Sequence, residues 1–384
     1  MRVLHTSDWH VGKQIRGRSR ADEHREVLAE IVAIAADEEV DVVLVAGDLF
    51  ETAAPTPEAE VVVYEALLAL AATGAHVVAV AGNHDNGQRL TAVAPFASLG
   101  RVHLLGGVAR PSDGGVVHLA TAAGERAHIA LVPFVSQRGI LRADDLMGLD
   151  PDQRSPRYAD RLARIIGQLC AGFSPDTVNL VLAHAFVAGG ALGGGERSAH
   201  TIFDYSIPAT VFPVDAQYVA LGHLHRAQDM PGACPTRYCG SPLRLDFGED
   251  DSACSVTVVE VAPGLPATLR EVPLASGRRL RTLRGTLDEL RSQAGAHEGA
   301  WLRIEVHEPT RAGLADEVRE LFPDAVDVRV VAPAPEGAPA PRPDRTGRSP
   351  RDLFAEFCAA QQVDDPRVAV LFDELLDDAG AGGH

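Results

Sequence analysis

The sequence predicts an α/β protein: a two-layered β-sheet sandwich flanked by helices, with a small α/β unit and C-terminal helices appended. Three observations carry that prediction. Short apolar runs at Val3–Leu4, Val42–Val45 and Val77–Val80 alternate with helix-patterned stretches, which argues for parallel strands under covering helices. A less regular middle, with runs at Val102–Leu105, Val116–Leu119 and His128–Val132, reads as a second layer with antiparallel pairing. Five strand ends carry polar cargo of one kind, namely Asp8-Trp9-His10, Gly47-Asp48, Gly82-Asn83-His84-Asp85, His184 and Gly222-His223-Leu224-His225.

In chain order, Arg2–Thr6 is a strand running into Asp8 and His10. In an extended segment residues i and i+2 share a face, so these two are expected to point the same way. Asp22–Glu39 reads as helix through Val27, Leu28, Ile31 and Ile34. The run Val42–Val45 is apolar at every position, the mark of a strand buried on both faces. It stops at Gly47 and delivers Asp48 to the strand's C-terminal end, the edge where ligands sit in open α/β sheets. Helix Pro57–Ala72 carries more apolar surface (Val61, Val62, Tyr64, Leu67, Leu68, Leu70) than one sheet face needs. Arg157–Cys170 is amphipathic, and the strand Val178–Ala183 delivers His184. The Gly189–Gly195 loop has no phosphate-loop lysine and reads as flexible. Tyr218–Leu221 leads to the paired histidines, and Thr236–Leu243 and Ser255–Val261 close a catalytic domain over 1–270. Residues 271–331 form a cap unit of three strands and two helices. The proline-rich stretch 332–348 cannot pack a core and reads as a linker, with a helical tail over 349–384.

Bulk composition narrows the classes. At 384 residues the chain exceeds one ordinary domain, and a hydrophobic content of 46% fits a globular protein. No apolar run approaches membrane length and the N-terminus lacks a charged segment before an apolar core, so a cytoplasmic protein without membrane contact is expected. The five cysteines are scattered without CxxC spacing, so neither a zinc knuckle nor a disulfide framework is indicated; Cys234 and Cys239 could pair, but reduced thiols are expected. A net charge of −18 limits nucleic-acid contact to local basic runs, Lys13–Arg20 or Arg278–Arg284, each of which reads by itself as solvated surface.

Taken singly, a strand-end aspartate is usually a helix cap and a lone histidine usually packing. Seven such residues after apolar strands, Asp8, His10, Asp48, Asn83, His184, His223 and His225, point instead to a metal centre. Imidazole, carboxylate and amide donors without thiolate suit manganese, iron or zinc better than magnesium. Asp48, leaving the middle of the sheet, is placed to bridge two ions. Ions roughly 3.5–4 Å apart serve in-line displacement at phosphorus. His84 follows one ligand directly and is placed to give a proton to a leaving oxygen, with Asp85 or Glu51 to orient it.

These motifs resemble the calcineurin-type metallophosphoesterase signature. The stretches HTSDWHVGK, VAGDLFETAAP, AGNHD, LGHLH, YCGSPLRLDFGE and the tail SPRDLFAEF are similar to the SbcD nuclease-subunit family across nearly the whole chain. The resemblance implies the metallophosphoesterase fold and a nuclease using two Mn2+ on DNA ends, hairpins and single strands. It also implies a homodimer and an SbcC-type coiled-coil ATPase as partner. By resemblance Asp8, His10, Asp48 and His225 hold one metal, Asp48, Asn83, His184 and His223 the other, and His84 is the catalytic histidine. Glu51 departs from the family pattern, where aspartate or histidine is expected, and takes no role from it. Two other readings compete: a phosphoesterase for small phosphodiesters, which would need neither cap nor tail, and a non-catalytic DNA tether, which would not need an intact ligand set.

Overall fold

In the computed structural model, which describes residues 1–121, 123–147, 158–196, 205–249, 253–331, 350–361, 363 and 365–381, the apolar runs form two mixed sheets packed face to face. The first holds, in spatial order, β14 (Thr268–Pro273), β13 (Ser255–Glu260), β1 (Arg2–Thr6), β4 (Val42–Val45), β5 (His76–Val80) and β6 (Val102–Leu105). The second holds β11 (Gln228–Met230), β12 (Thr236–Tyr238), β10 (Tyr218–Gly222), β9 (Val178–His184), β8 (Arg126–Val132) and β7 (Val116–Ala120), and a separate short ladder pairs β2 (Gln14–Ile15) with β3 (Arg18–Ser19).

The all-apolar runs follow from burial on two faces. Along β4, Val42 and Leu44 point between the sheets, against Val78, Val80, Leu180 and Leu182. Val43 and Val45 point the other way, under Val27 and Ile31 of α1 (Ala21–Asp37) and Val63 and Leu67 of α2 (Pro57–Ala72). Thr56 starts α2 by accepting the Ala59 N–H, with Pro57 in the first turn. The outer face of the second sheet is covered by α4 (Gln137–Leu146) and α5 (Tyr158–Cys170), through Ile140, Leu162, Ile165, Ile166 and Leu169.

One strand lies elsewhere than expected. Val102–Leu105 is not part of the antiparallel second layer; it pairs parallel with β5, from Val77–Val102 to Val80–Leu105, at the edge of the first sheet. A parallel neighbour needs a crossover, and α3 (Gly87–Ala97) supplies it; the internal Pro95 hides this helix from pattern reading. The antiparallel pairing of β7 with β8 is as expected. All five cysteines are free thiols.

The strand β14 carries the first sheet past residue 270 to Pro273. The cap then forms its own layer. Parallel strands β15 (Leu280–Gly285), β16 (Trp301–Val306) and β17 (Ala325–Val330) pack Ile304 and Val306 against Leu290 of α6 (Leu287–Arg291) and Val318 of α7 (Leu314–Leu321). The linker 332–348 and Ser349 lie outside the described residues. Beyond them α8 (Pro350–Ala360) meets α9 (Pro366–Ala381) through stacked Phe354 and Phe372 rings with centroids 3.9 Å apart, and α9 lies against α4. No described helix is long and apolar enough to cross a membrane.

Parallel register places the chemistry. Thr6 pairs with Val45, Val45 with Ala79, and His184 with Gly222, so the C-terminal ends of the central strands meet at one edge. There the two sheets touch at Gly222: a Cβ at that position would lie 1.9 Å from the Ala46 carbonyl oxygen. Gly47 occupies φ +87°, and a Cβ there would lie 2.4 Å from His184 Nδ1. Gly222→Ala is therefore expected to cost about 1–3 kcal/mol by overpacking and to reduce divalent-metal content, because it pries the His223 N–H from the Asp8 carboxylate. Urea unfolding and elemental analysis check this; a variant with wild-type stability and metal content would refute the close contact.

Candidate metal centre

The loops leaving these strand ends are laced together before any metal is considered. The Asp8 N–H donates to Gly47 O and the His10 N–H to Asp48 O, both at 3.0 Å. The Asp85 carboxylate accepts the N–H groups of Leu49, Phe50 and Gly82 at 3.2, 2.9 and 2.8 Å. Asp85 thus ties two loops and does not orient His84. That role falls to Glu51, whose carbonyl oxygen lies 2.7 Å from His84 Nδ1.

Asp8 and His10 do meet, but not because the segment is extended. Both sit in the left-handed region, at φ 53° and 47°, as does Asp48 at 51°, and His223 stands at 110°. A non-glycine residue there costs on the order of 1–3 kcal/mol and persists only where the surroundings fix it, which concentrates such residues at functional sites. Four of the seven candidate ligands carry this strain.

All seven converge, and His84 joins them. Donor atoms of Asp8, His10 and His225 lie within 4.8 Å of one another, as do those of His10, Asp48 and His84, and those of Asp8, Asp48 and His184. The Asp48 Oδ2 atom stands 3.5 Å from His10 Nε2 and 3.6 Å from His184 Nε2. On the far side Asn83 Oδ1 lies 2.9 Å from His184 Nε2 and 2.8 Å from His223 Nδ1. The backbone N–H of His84 donates to the other Asp48 oxygen at 2.8 Å.

The donor set fits divalent cations. His10 Nε2 is buried without a hydrogen-bond partner, an expense that a metal bond removes. Burial pushes the Asp8 carboxyl up to about 7, against the pull of His184 and His225, so its anion lacks compensating charge. Burial likewise keeps His10 and His184 below the ordinary imidazole range, in the neutral form that binds metal. At His225 burial works the same way but is outweighed: the Glu249 hydrogen bond and the charges of Asp8, Glu249 and Glu196 bring it up to about 9. Buried carboxylates crowded this closely call for a cation.

Three further acids touch the ligands. Glu51 Oε2 lies 2.9 Å from His10 Nδ1, while Lys13 Nζ reaches Glu51 Oε1 at 2.8 Å. Glu249 Oε1 lies 3.2 Å from His225 Nδ1 and Glu249 Oε2 accepts the Leu245 N–H at 2.7 Å. Glu196 accepts the N–H groups of Gly193, Gly194 and His225 at 2.6, 2.8 and 3.1 Å. The glycine-rich loop is therefore fastened to the site rather than loose. Sequence reasoning assigned nothing to Glu196 or Glu249, although Glu249 closes the YCGSPLRLDFGE stretch.

Residues 1–227 match the calcineurin-like phosphoesterase family, and residues 276–362 match a family described as the type 5 capsule protein repressor C-terminal domain. The SbcD subunit of the nuclease SbcCD from Bacillus subtilis is 34% identical over 98% of this chain and 97% of its own. The chain belongs to the SbcD family of calcineurin-like phosphoesterases. The SbcD subunits from Rhodobacter capsulatus and Escherichia coli are 36% and 28% identical, over 71% and 80% of this chain and 69% and 78% of theirs. As a member of the SbcD family the protein is a metal-dependent phosphodiesterase of the nuclease class.

Proposed function

We propose that this chain is a manganese-dependent DNA exonuclease and endonuclease, hydrolysing phosphodiester bonds at DNA ends, hairpins and single strands in repair and recombination. The observation that carries the two-ion reading is Asp48 Oδ2, poised between His10 Nε2 and His184 Nε2 at 3.5 and 3.6 Å. Asp8, His10, Asp48 and His225 would hold one ion and Asp48, Asn83, His184 and His223 the other. Manganese in both positions would supply a nucleophile from water at neutral pH and neutralise charge developing on the phosphate oxygens.

The protein's own groups then divide the work. His84 donates Nδ1–H to the Glu51 carbonyl, which fixes its tautomer and leaves Nε2 for the substrate side. When Nε2 is protonated as well, the imidazolium gives that proton to the leaving 3′ or 5′ oxygen and returns to the neutral Nδ1–H ring, or it steadies the oxygen's charge. Asp48→Asn is expected to abolish cleavage and lower metal content, since the bridging charge is lost, whereas His84→Gln abolishes turnover with two metals retained. Metal analysis beside a labelled single-strand and hairpin DNA assay checks both; loss of metal from His84→Gln would remove it from the catalytic role. Faster turnover of a chromogenic phosphodiester than of any DNA would favour the small-substrate reading instead.

The relatives are named as one subunit of a two-subunit nuclease, which supports an SbcC-type coiled-coil ATPase as partner, and the absence of a membrane-length helix among the described residues is compatible with the expected cytoplasmic location. The tail is the docking element in this reading. Its helices spend Phe354 and Phe372 on each other and leave Phe357, Val370, Leu371 and Leu375 more than half exposed, apolar surface suited to packing on a coiled coil. The contact of α9 with α4 also supports the plainer alternative, a tail folded back on the catalytic domain. Deleting residues 349–384 is expected to leave manganese-dependent cleavage of simple single strands intact and to abolish co-purification with the ATPase; full-affinity binding by the truncated chain would contradict docking.

A homodimer completes the proposal. On α2, Val61 and Leu68 are exposed, Leu68 lies against Gly100, and the chain just before that glycine exposes Phe96 and Leu99 at 77% and 85%, which together offer an apolar surface. Symmetric pairing would cover it and set two metal centres on two DNA ends. Light scattering of the wild-type chain at micromolar concentration is expected to give twice the monomer mass, and Leu68→Glu the monomer mass; a monomeric wild type refutes the pairing.

A further inference from the structure

The two halves of the centre are built from similar ligands but are supported differently from behind. A ligand histidine binds metal through one ring nitrogen, and whatever holds the other nitrogen sets the ring's tautomer, direction and donor strength. At His10 and at His225 the outer nitrogen, Nδ1, faces a carboxylate: Glu51 at 2.9 Å and Glu249 at 3.2 Å. At His184 the outer nitrogen is held by a neutral group, the Ala46 carbonyl oxygen at 2.7 Å. The same contrast runs through the direct donors. Asp8 belongs to the first set alone, while the second set has the uncharged amide of Asn83 in the corresponding place, and Asp48 is common to both. The nearby Asp85 acts on His184 only through space: its oxygens accept three backbone N–H groups and neither holds the outer nitrogen of the His184 ring.

Both outer carboxylates are themselves anchored. Glu249 is buried, with its second oxygen on the Leu245 N–H, so it cannot swing away from His225. Glu51 is fixed from the other side by Lys13 Nζ at 2.8 Å, and its side chain is 23% exposed, so a substitution there has room.

We infer that Glu51 and Glu249 are positioning residues that make the Asp8–His10–Asp48–His225 position the tighter of the two metal positions, so that it fills first and the Asn83 position fills at higher metal concentration. The inference rests on the two-ion reading above and adds to it an order of filling and the residues that impose it. Glu51 takes a part that the family resemblance did not give it, through His10 rather than through the phosphate.

The test is a manganese titration of the metal-stripped, full-length protein, following free Mn2+ by its paramagnetic resonance signal. Wild type is expected to show two unequal affinities, and Asn83→Ala to lose only the weaker. Glu51→Gln and Glu249→Gln, which keep side-chain shape and remove the charge, are each expected to weaken the tighter affinity by about 10–100-fold and leave the weaker in place. Retention of the weaker affinity also shows that each variant is folded, and should Glu249→Gln fail to fold, Glu51→Gln decides alone. Nuclease activity of Glu51→Gln should return as manganese is raised, which loss of a merely structural contact would not produce. Two equal affinities in wild type, unchanged binding in both variants, or weakening of the class that Asn83→Ala removes would each overturn the inference while leaving two ions bound. A wild-type chain binding fewer than two ions would overturn the two-ion reading and this inference with it.

Discussion

The constraint on which the rest depends is the burial of the Asp48 carboxylate where the two sheets meet. Its backbone carbonyl fixes His10, one carboxylate oxygen receives the His84 N–H, and the other stands between His10 and His184. A lone buried carboxylate would be a heavy cost. Here it is surrounded by groups that share the demand for a cation. Asp48 itself and three ligand residues around it, Asp8, His10 and His223, keep positive-φ backbone, each at a cost of order 1–3 kcal/mol, and the strain is sustained by strands whose apolar residues are buried on both faces. The stiffness of the sandwich is thus a condition for the precision of the site.

The candidate ligands were legible because each follows directly on an apolar strand, and strand ends in a parallel sheet must come out at one edge. The reason that Asp8 and His10 converge was not legible, since left-handed backbone at a non-glycine residue leaves no trace in composition. Val102–Leu105 reads alike as a parallel edge strand or as one of an antiparallel pair; only the helix Gly87–Ala97 decides, and its Pro95 disguised it. Strand Thr268–Pro273 escaped because an exposed edge strand carrying Arg270 and Glu271 has no apolar run to show. Glu196 and Glu249 escaped for another reason. Each serves His225 across a distance in sequence that no periodicity spans.

The charge balance also takes a different meaning once the arginines are located. Arg16, Arg303 and Arg329 all reach Asp327 Oδ2, at 2.8, 3.0 and 3.0 Å, and Arg284 pairs with Glu305 at 2.7 Å. Arg278 lies 4.7 Å over the Trp301 ring and Arg303 4.2 Å over Phe247. Exposed ion pairs of this kind add little stability, but they commit these cations to holding the cap. In a chain of net charge −18, Lys13, Arg16, Arg20, Arg278 and Arg284 of the two basic runs are thus engaged within the chain itself.

The cap itself is joined to the metal centre through two short segments. The first leaves His10, passes Lys13 on Glu51, buries Ile15 beside Phe247 and Leu280, and sets Arg16 on Asp327. It ends at buried Arg20, whose partner Glu23 receives the Arg278 N–H and the Trp301 indole N–H at 2.9 and 2.8 Å. The second is the turn Phe247–Glu249, with Phe247 under Arg303 of the cap and Glu249 on His225. The carboxylates behind His10 and His225 therefore sit on, or are held by, the chain that seats the cap. Any displacement of the cap large enough to unseat Ile15 and Phe247 must move the supports of those two histidines, whereas His184 is backed by the Ala46 carbonyl inside the sandwich. Cap placement and the geometry of one half of the metal centre are one mechanical problem.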